Sequence, residues 1–267
     1  MKNMAILTDV TKCIGCEKCV EACRSLYRLP EERPWRWVKK INDLSSSRWT
    51  TIVEKPDGRE RNFVRLQCRH CLDPSCVSAC IVGALKKTPE GPVIYERNLC
   101  IGCRYCMIAC PWDIPRYSWE DTVPYVQKCG MCYDRVIGEG KQPACTEACP
   151  TDATIFGERE DLLAEARRRL AAEPDKYVQK IWGEKEVGGT SVLYISDVPI
   201  KLTGREKPVT DEEPVPPRTK RILHQMPLVF VGMAGLMGGL AWVIKRRQEV
   251  EIAEGSDTGE SDGNNEA

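Results

Sequence analysis

All sixteen cysteines of this 267-residue chain fall into four quartets. Cys13, Cys16, Cys19 and Cys23 follow a C-x2-C-x2-C-x3-C spacing. Cys68, Cys71, Cys76 and Cys80 carry a two-residue expansion before the third member. Cys100, Cys103, Cys106 and Cys110 repeat the first spacing and run into Pro111. Cys129, Cys132, Cys145 and Cys149 have a twelve-residue middle gap and run into Pro150. No cysteine is left over for a disulfide or a nucleophile.

In a C-x2-C-x2-C-x3-C-P run, three thiolates wrap one corner of an iron–sulfur cube. The fourth lies one helical turn further on, points away and ligates a second cube. Pro111 removes a backbone N–H where the chain must turn. Such a run predicts a partner run, and this chain has three more. A disulfide scaffold is the first alternative for so much cysteine. Tight quartets, and a polar stretch Met1–Asp9 where an apolar secretory signal would stand, argue against it. Zinc is the second, since C-x2-C pairs build zinc ribbons. Ribbons use pairs, however, and not runs of this length, so iron–sulfur clusters are the expectation and a zinc-stapled membrane scaffold the remote alternative.

Formal net charge is zero, which implies no general attraction to nucleic acid. Three Phe residues are few for a core of this size. Metal ligation would then supply folding energy that apolar burial otherwise provides.

Along the chain, Met4–Leu7 reads as a short strand leading into the first quartet. Residues 24–67 read as an insertion with Pro30, Pro34 and three Trp residues (35, 37 and 49) that shield a core or a cluster. Within it, Trp49–Val53 and Phe63–Gln67 flank the turn Pro56-Asp-Gly58 and predict a hairpin. Residues 68–118 form a compact unit: quartet, short strand at 92–95, quartet. The first and fourth quartets have no neighbour in sequence. The economical solution pairs them in an outer module, 1–67 with 119–206, into which the 68–118 module is inserted. Arg159–Ala172 predicts an amphipathic helix with Leu162, Leu163, Ala166 and Leu170 on one face, Arg167–Arg169 solvated, and Pro174 as its stop. Thr190–Ile195 predicts a late strand. A charged, Pro-rich linker occupies 207–221. Pro227–Ile244 is eighteen uncharged residues between basic flanks and predicts a transmembrane helix over 222–245. Gly232, Gly235 and Gly239 suit close approach of another helix. Residues 246–267 read as a disordered acidic tail.

No phosphate-cradling loop, H-E-x-x-H, G-x-S-x-G or nucleotide fingerprint occurs. The chain therefore predicts no substrate chemistry of its own and no catalytic residue. Lys12, Arg69, Arg104 and Lys128 adjoin ligand positions, as charges that raise cluster potentials or as ordinary surface residues. His70 reads as a hydrogen-bond donor or surface residue, because its quartet is already complete. His224 reads as interfacial.

These features resemble the four-cluster, ferredoxin-like iron–sulfur (beta) subunit of membrane-bound respiratory oxidoreductases. The nearest relatives are those of respiratory formate dehydrogenase and of membrane-bound nickel–iron hydrogenase. The residues that carry the resemblance are the quartets in order, Cys103–Pro111, Lys128–Cys132, Ala148–Ala153, Gly183–Leu193 and the single C-terminal apolar stretch. The resemblance implies an α+β fold of two dicluster modules, one inserted in the other, plus one transmembrane helix. It implies four [4Fe–4S] clusters with interleaved ligands. Cluster A would take Cys13, Cys16, Cys19 and Cys149, and cluster B would take Cys23, Cys129, Cys132 and Cys145. Cluster C would take Cys68, Cys71, Cys76 and Cys110, and cluster D would take Cys80, Cys100, Cys103 and Cys106. Arg24 and Ile81 stand where proline commonly follows the last cysteine, which leaves the local turn open. The implied function is electron transfer in anaerobic respiration. A catalytic molybdopterin or nickel–iron subunit and a multi-span quinone-reactive or cytochrome b subunit would be the partners. The bacterial inner membrane is the implied location, with the globular part periplasmic and the cytoplasmic side as the alternative, since basic residues flank both ends of the span almost equally. A formate-dehydrogenase-type partner is the preferred expectation, with a hydrogenase or a quinol-oxidising reductase as alternatives.

Overall fold

The computed structural model describes residues 3–31, 44–55, 62–119, 121–200 and 212–257. In chain order its elements begin with β1 (Met4–Asp9), α1 (Lys18–Tyr27), β2 (Thr50–Lys55) and β3 (Asn62–Gln67). There follow α2 (Ser75–Ser78), β4 (Leu85–Lys87), β5 (Val93–Tyr95), α3 (Tyr105–Ala109), β6 (Arg116–Tyr117) and β7 (Val126–Gln127). The last are α4 (Tyr133–Glu139), α5 (Ala144–Glu147), β8 (Thr154–Glu158), α6 (Arg159–Ala172), β9 (Val192–Ile195) and α7 (Val215–Asp257). The result is α+β, with short elements set between the cysteine loops.

β1 opens with four apolar residues, Met4–Leu7, and is buried at every position, so it takes the centre of a three-stranded sheet. It pairs antiparallel with β8, Met4 opposite Glu158, and parallel with β9, Ile6 opposite Val192. α6 covers one face of that sheet. Its Leu162, Leu163, Ala166 and Leu170 pack with Ala5, Leu7, Leu193 and Ile195. The other face, through Met4, Ile6 and Val192, joins a core that includes cysteines of the second, third and fourth quartets. β2 and β3 form the expected hairpin, Thr50 opposite Gln67, and β4 pairs with β5 inside the 68–118 stretch. Trp35, Trp37, the Pro56–Gly58 turn, linker residues 207–211, tail residues 258–267 and the His224 side chain lie outside the described residues.

The segment 183–191 ties the second cysteine loop to the sheet. Leu72 N–H donates to Gly189 O at 3.0 Å, and Ser191 N–H to Arg69 O at 3.1 Å. Arg159 Nε donates to Thr190 O and its Nη2 to Glu184 O, each at 2.9 Å. Gly183 has φ +89°, and a Cβ there would stand 2.5 Å from Thr190 Oγ1, so only glycine fits.

Two expectations change, and a turn left open at Arg24 is decided. The arginines 167–169 do not all face solvent: Arg169 is 15% exposed and its Nη1 reaches the buried Asp9 at 3.2 Å. One helical step places Arg167 and Arg168 outside and Arg169 over the end of β1. Helix α1 runs past Cys23 to Tyr27, because Arg24 keeps the backbone donor that proline would remove. The C-terminal helix begins at Val215 and continues to Asp257, so 215–221 and 246–257 are helical, not linker and tail. Acidic and basic residues extend a helix as readily as apolar ones, and no glycine or proline stops it after Ile244 until Gly255. The apolar candidate span within it covers Gln225–Ile252, and its 18-residue apolar window has a mean hydropathy of 1.9.

Candidate metal centres

The four C-x2-C loops share one backbone device. The residue before the second cysteine is left-handed in each: Gly15 at φ +71°, His70 at +48°, Gly102 at +71° and Met131 at +56°. The reversal turns amides toward sulfur. Gly102 N–H donates to Cys100 Sγ at 3.4 Å, and Met131 N–H to Cys129 Sγ at 3.3 Å. Successive amides in such turns form anion-binding concavities. For non-glycine residues this conformation costs about 1–3 kcal/mol each, so it persists only where the surroundings impose it. Glu17 and Arg104 adopt it too, each opening the short helix that carries the next cysteine. Where proline is present, α3 stops at Ala109 and Cys110 is extended.

An open cavity of about 380 Å³ is lined by Cys13, Cys16, Cys19 and Cys149, with Arg65 and Thr151 on its wall. A second, of about 310 Å³, is lined by Cys80, Cys100, Cys103 and Cys106, with Tyr95 and Arg104 beside them. Cys23 lies beside Cys145 and Cys132, and Cys129 beside Cys23, Cys145 and Cys68. Cys71 lies beside Cys110 and Cys68, and Cys76 beside the same pair. All sixteen cysteines are free of disulfides.

Burial, then mutual repulsion, raises many of these thiols. Cys19 is pushed up to about 11 and Cys71 to about 12. Cys106 and Cys110 are each pushed up to about 11, and Cys129 well above the thiol range. Cys149 runs the other way. Burial pushes it up, but the Thr151, Thr154 and Ala153 amides and the Thr151 hydroxyl outweigh burial and lower it. Thiols held this high are poor nucleophiles at neutral pH, and a metal that binds them must displace their protons. The donor set is all sulfur, with backbone amides on it, and fits iron–sulfur clusters.

The neighbouring charges sort themselves. Lys12 is exposed. Arg104 folds over the Tyr117 and Trp119 rings. Arg69 is buried 4.4 Å from the Tyr194 ring centroid. Lys128 is buried and donates to Val93 O at 2.5 Å and Cys129 O at 3.0 Å. His70 is neither a surface residue nor a donor through Nδ1, which accepts from Val93 N–H at 2.9 Å. Burial, then Lys128 and Lys87, hold His70 well below its usual range, so it stays neutral. His70 and Lys128 thus pin Val93, and with it the start of β5.

Sequence reasoning passed over Arg65. In Phe63-Val-Arg-Leu-Gln67 an alternating strand should turn Arg65 and Gln67 to solvent. Both are 1% exposed instead, as are Val64 and, nearly, Leu66, because the hairpin is covered on both faces. The sign of that was Gly15, whose missing Cβ leaves room for the Phe63 ring: a Cβ would stand 2.8 Å from it.

Two family models describe the chain, each a 4Fe-4S dicluster domain, matching residues 12–84 and 60–159. A protein of Nitratidesulfovibrio vulgaris Hildenborough is 38% identical over 94% of this chain and 69% of its own length. The hydrogenase-2 operon protein HybA of Escherichia coli O157:H7 is 33% identical over 97% of this chain and 89% of its own. The formate dehydrogenase-O iron-sulfur subunit of Escherichia coli K12 is 36% identical over 73% and 67%.

Proposed function

From a chain that belongs to the 4Fe-4S dicluster family of iron–sulfur electron-transfer subunits, with HybA and the formate dehydrogenase iron-sulfur subunits as relatives, we propose a four-centre conductor. It carries electrons between a catalytic oxidoreductase subunit and a quinone-reactive membrane subunit. The observation that carries this is the grouping of sixteen disulfide-free cysteines around repeated left-handed loops, in a chain with no substrate motif. The ligand sets are interleaved: Cys13, Cys16, Cys19 and Cys149 (A); Cys23, Cys129, Cys132 and Cys145 (B); Cys68, Cys71, Cys76 and Cys110 (C); Cys80, Cys100, Cys103 and Cys106 (D). The two cavities and the sulfur neighbours support these sets. So does the pairing of β1 with β8 on either side of the 68–118 stretch, which favours one module inserted in the other.

When bound, [4Fe–4S] cubes supply one-electron storage at each site. The chain's residues do the rest. Thiols bind, left-handed loops aim amides at sulfur, and apolar neighbours such as Trp112, Val126 and Met131 keep water away. Cys19 lies beside Cys145, and Cys129 beside Cys68, which supports the order A, B, C, D. A zinc scaffold needs four sulfurs about 2.3 Å from one ion. The 4Fe-4S dicluster models that match residues 12–84 and 60–159 favour cubes over such a site.

The helix over Gln225–Ile252 would be about 42 Å long at ~1.5 Å per residue, enough to cross a hydrocarbon core of about 30 Å. Its apolar side chains, among them Leu228, Phe230 and Trp242, are exposed, so it anchors the chain in the inner membrane. HybA aligns along nearly the whole chain, which favours a hydrogenase-type complex; the formate dehydrogenase subunits align over less of it but at higher identity and carry the second reading. Isolation from native membranes in mild detergent, with subunit and metal identification, tests both. Co-purified nickel and hydrogen-driven reduction support the first. Molybdenum or tungsten and formate-driven reduction support the second. A preparation that neither donor reduces contradicts the proposal.

A further inference from the structure

Arg65 is 1% exposed, and no oxygen or nitrogen acceptor pairs with its guanidinium; its side-chain partner is the sulfur of Cys145. The other buried arginines differ. Arg159 donates to two carbonyls, and Arg69 lies against two aromatic rings. A buried cation with no carboxylate or carbonyl beside its guanidinium is among the costliest features a fold can hold. The hairpin nevertheless holds it firmly. Arg65 stands opposite Ile52 across the strands, and both line the Cys13–Cys149 cavity. Phe63, two residues away on the same face, sits on Gly15 of the first ligand loop. Tyr194 of the central sheet donates its hydroxyl hydrogen to Arg65 O at 2.8 Å.

What the guanidinium does meet is sulfur from two ligand groups. Cys145 and Cys19 are its strongest charge partners, Cys19 from set A and Cys145 from set B. A cube held by four thiolates is an anion in both oxidation states and gains one negative charge on reduction. Net charge is one of the factors that set a cluster's potential. A fixed cation in a dry interior acts more strongly than one in water.

We propose that Arg65 is a positioning residue that supplies the positive charge shared by the clusters at A and B, raising the reduction potential of both. The proposal rests on the conductor reading above. It assigns to the hairpin of the 24–67 insertion the task of delivering this charge between two centres.

The test uses the intact complex from native membranes carrying Arg65→Gln or Arg65→Lys. Iron and acid-labile sulfide are counted, and the clusters are titrated potentiometrically under electron paramagnetic resonance. With full iron, R65Q is expected to move two of the four potentials to more negative values and leave two in place, while R65K keeps all four near wild type. R65Q leaving every potential unmoved, or moving all four alike, overturns the proposal, as does R65K behaving like R65Q. If R65Q loses iron or does not accumulate, R65K decides: full iron with unshifted potentials supports the charge role, and anything less overturns it. Wild-type complex without four cubes would instead overturn the conductor reading, so the two failures are separable.

Discussion

At Gly15 a single methyl group decides whether a ligand loop closes. The residue has φ +71° and a Cβ would meet the Phe63 ring at 2.8 Å, so Gly15→Ala meets both backbone strain and a clash. Iron analysis of G15A is expected to show loss of one cluster. Gly138→Ala, at a position in α4 with open space around it, is expected to keep all its iron and gain about 0.5–1 kcal/mol of stability. Interleaving gives a second residue-scale prediction. Cys23→Ser is expected to abolish the same resonance signal as Cys129→Ser and leave intact the one lost in Cys13→Ser; matching losses in C23S and C13S would contradict the proposed sets. Asp9 is fully buried and accepts from Tyr177 Oη at 2.9 Å, Arg169 Nη1 at 3.2 Å and Thr11 Oγ1 at 2.6 Å. Asp9→Asn is expected to cost about 2 kcal/mol, read as a lower temperature for thermal bleaching of the visible absorbance. The cysteine ligands were legible because their spacing is local. Asp9 and Arg65 were not: Tyr177 and Arg169 reach Asp9, and Cys19 and Cys145 face Arg65, from distant segments, and no periodicity marks a charged residue that tertiary packing covers on both faces.

Among elements, the strands β1, β3 and β5 and helix α6 were readable from apolar runs and a 3.6-residue face. The end of α1 was not, because it turns on Arg24 standing where proline commonly follows a last ligand. The helix that Arg24 sustains carries Tyr27 to within 4.7 Å of Trp49, ring centroid to centroid, and so docks the insertion on the first ligand helix. Arg24→Pro is expected to cost about 3 kcal/mol by removing a helix hydrogen bond and clashing with the preceding turn. Circular dichroism should show the lost turn, and bleaching should come at lower temperature. Unchanged behaviour would mean that the extra turn contributes nothing. The extent of α7 was hidden for a different reason: composition marked where apolar residues stop, whereas a helix ends only where caps or breakers end it.

For the whole molecule, the chain separates into a unit ending at Pro216 and a second from Pro217 onward. The first contains every cysteine, and the second the exposed apolar helix. Truncation after Pro216 is therefore expected to yield a brown protein in the soluble fraction, while the full chain resists carbonate extraction from membranes. A truncated chain that stays with the membrane would place the anchor elsewhere. The central claim is that the sixteen cysteines hold four cubes, and it predicts a fixed stoichiometry. Protein isolated anaerobically should contain iron and acid-labile sulfide each equal to its cysteine count of sixteen, with a broad visible absorption that bleaches on reduction. Zinc in place of iron and sulfide, in a colourless protein, would contradict it.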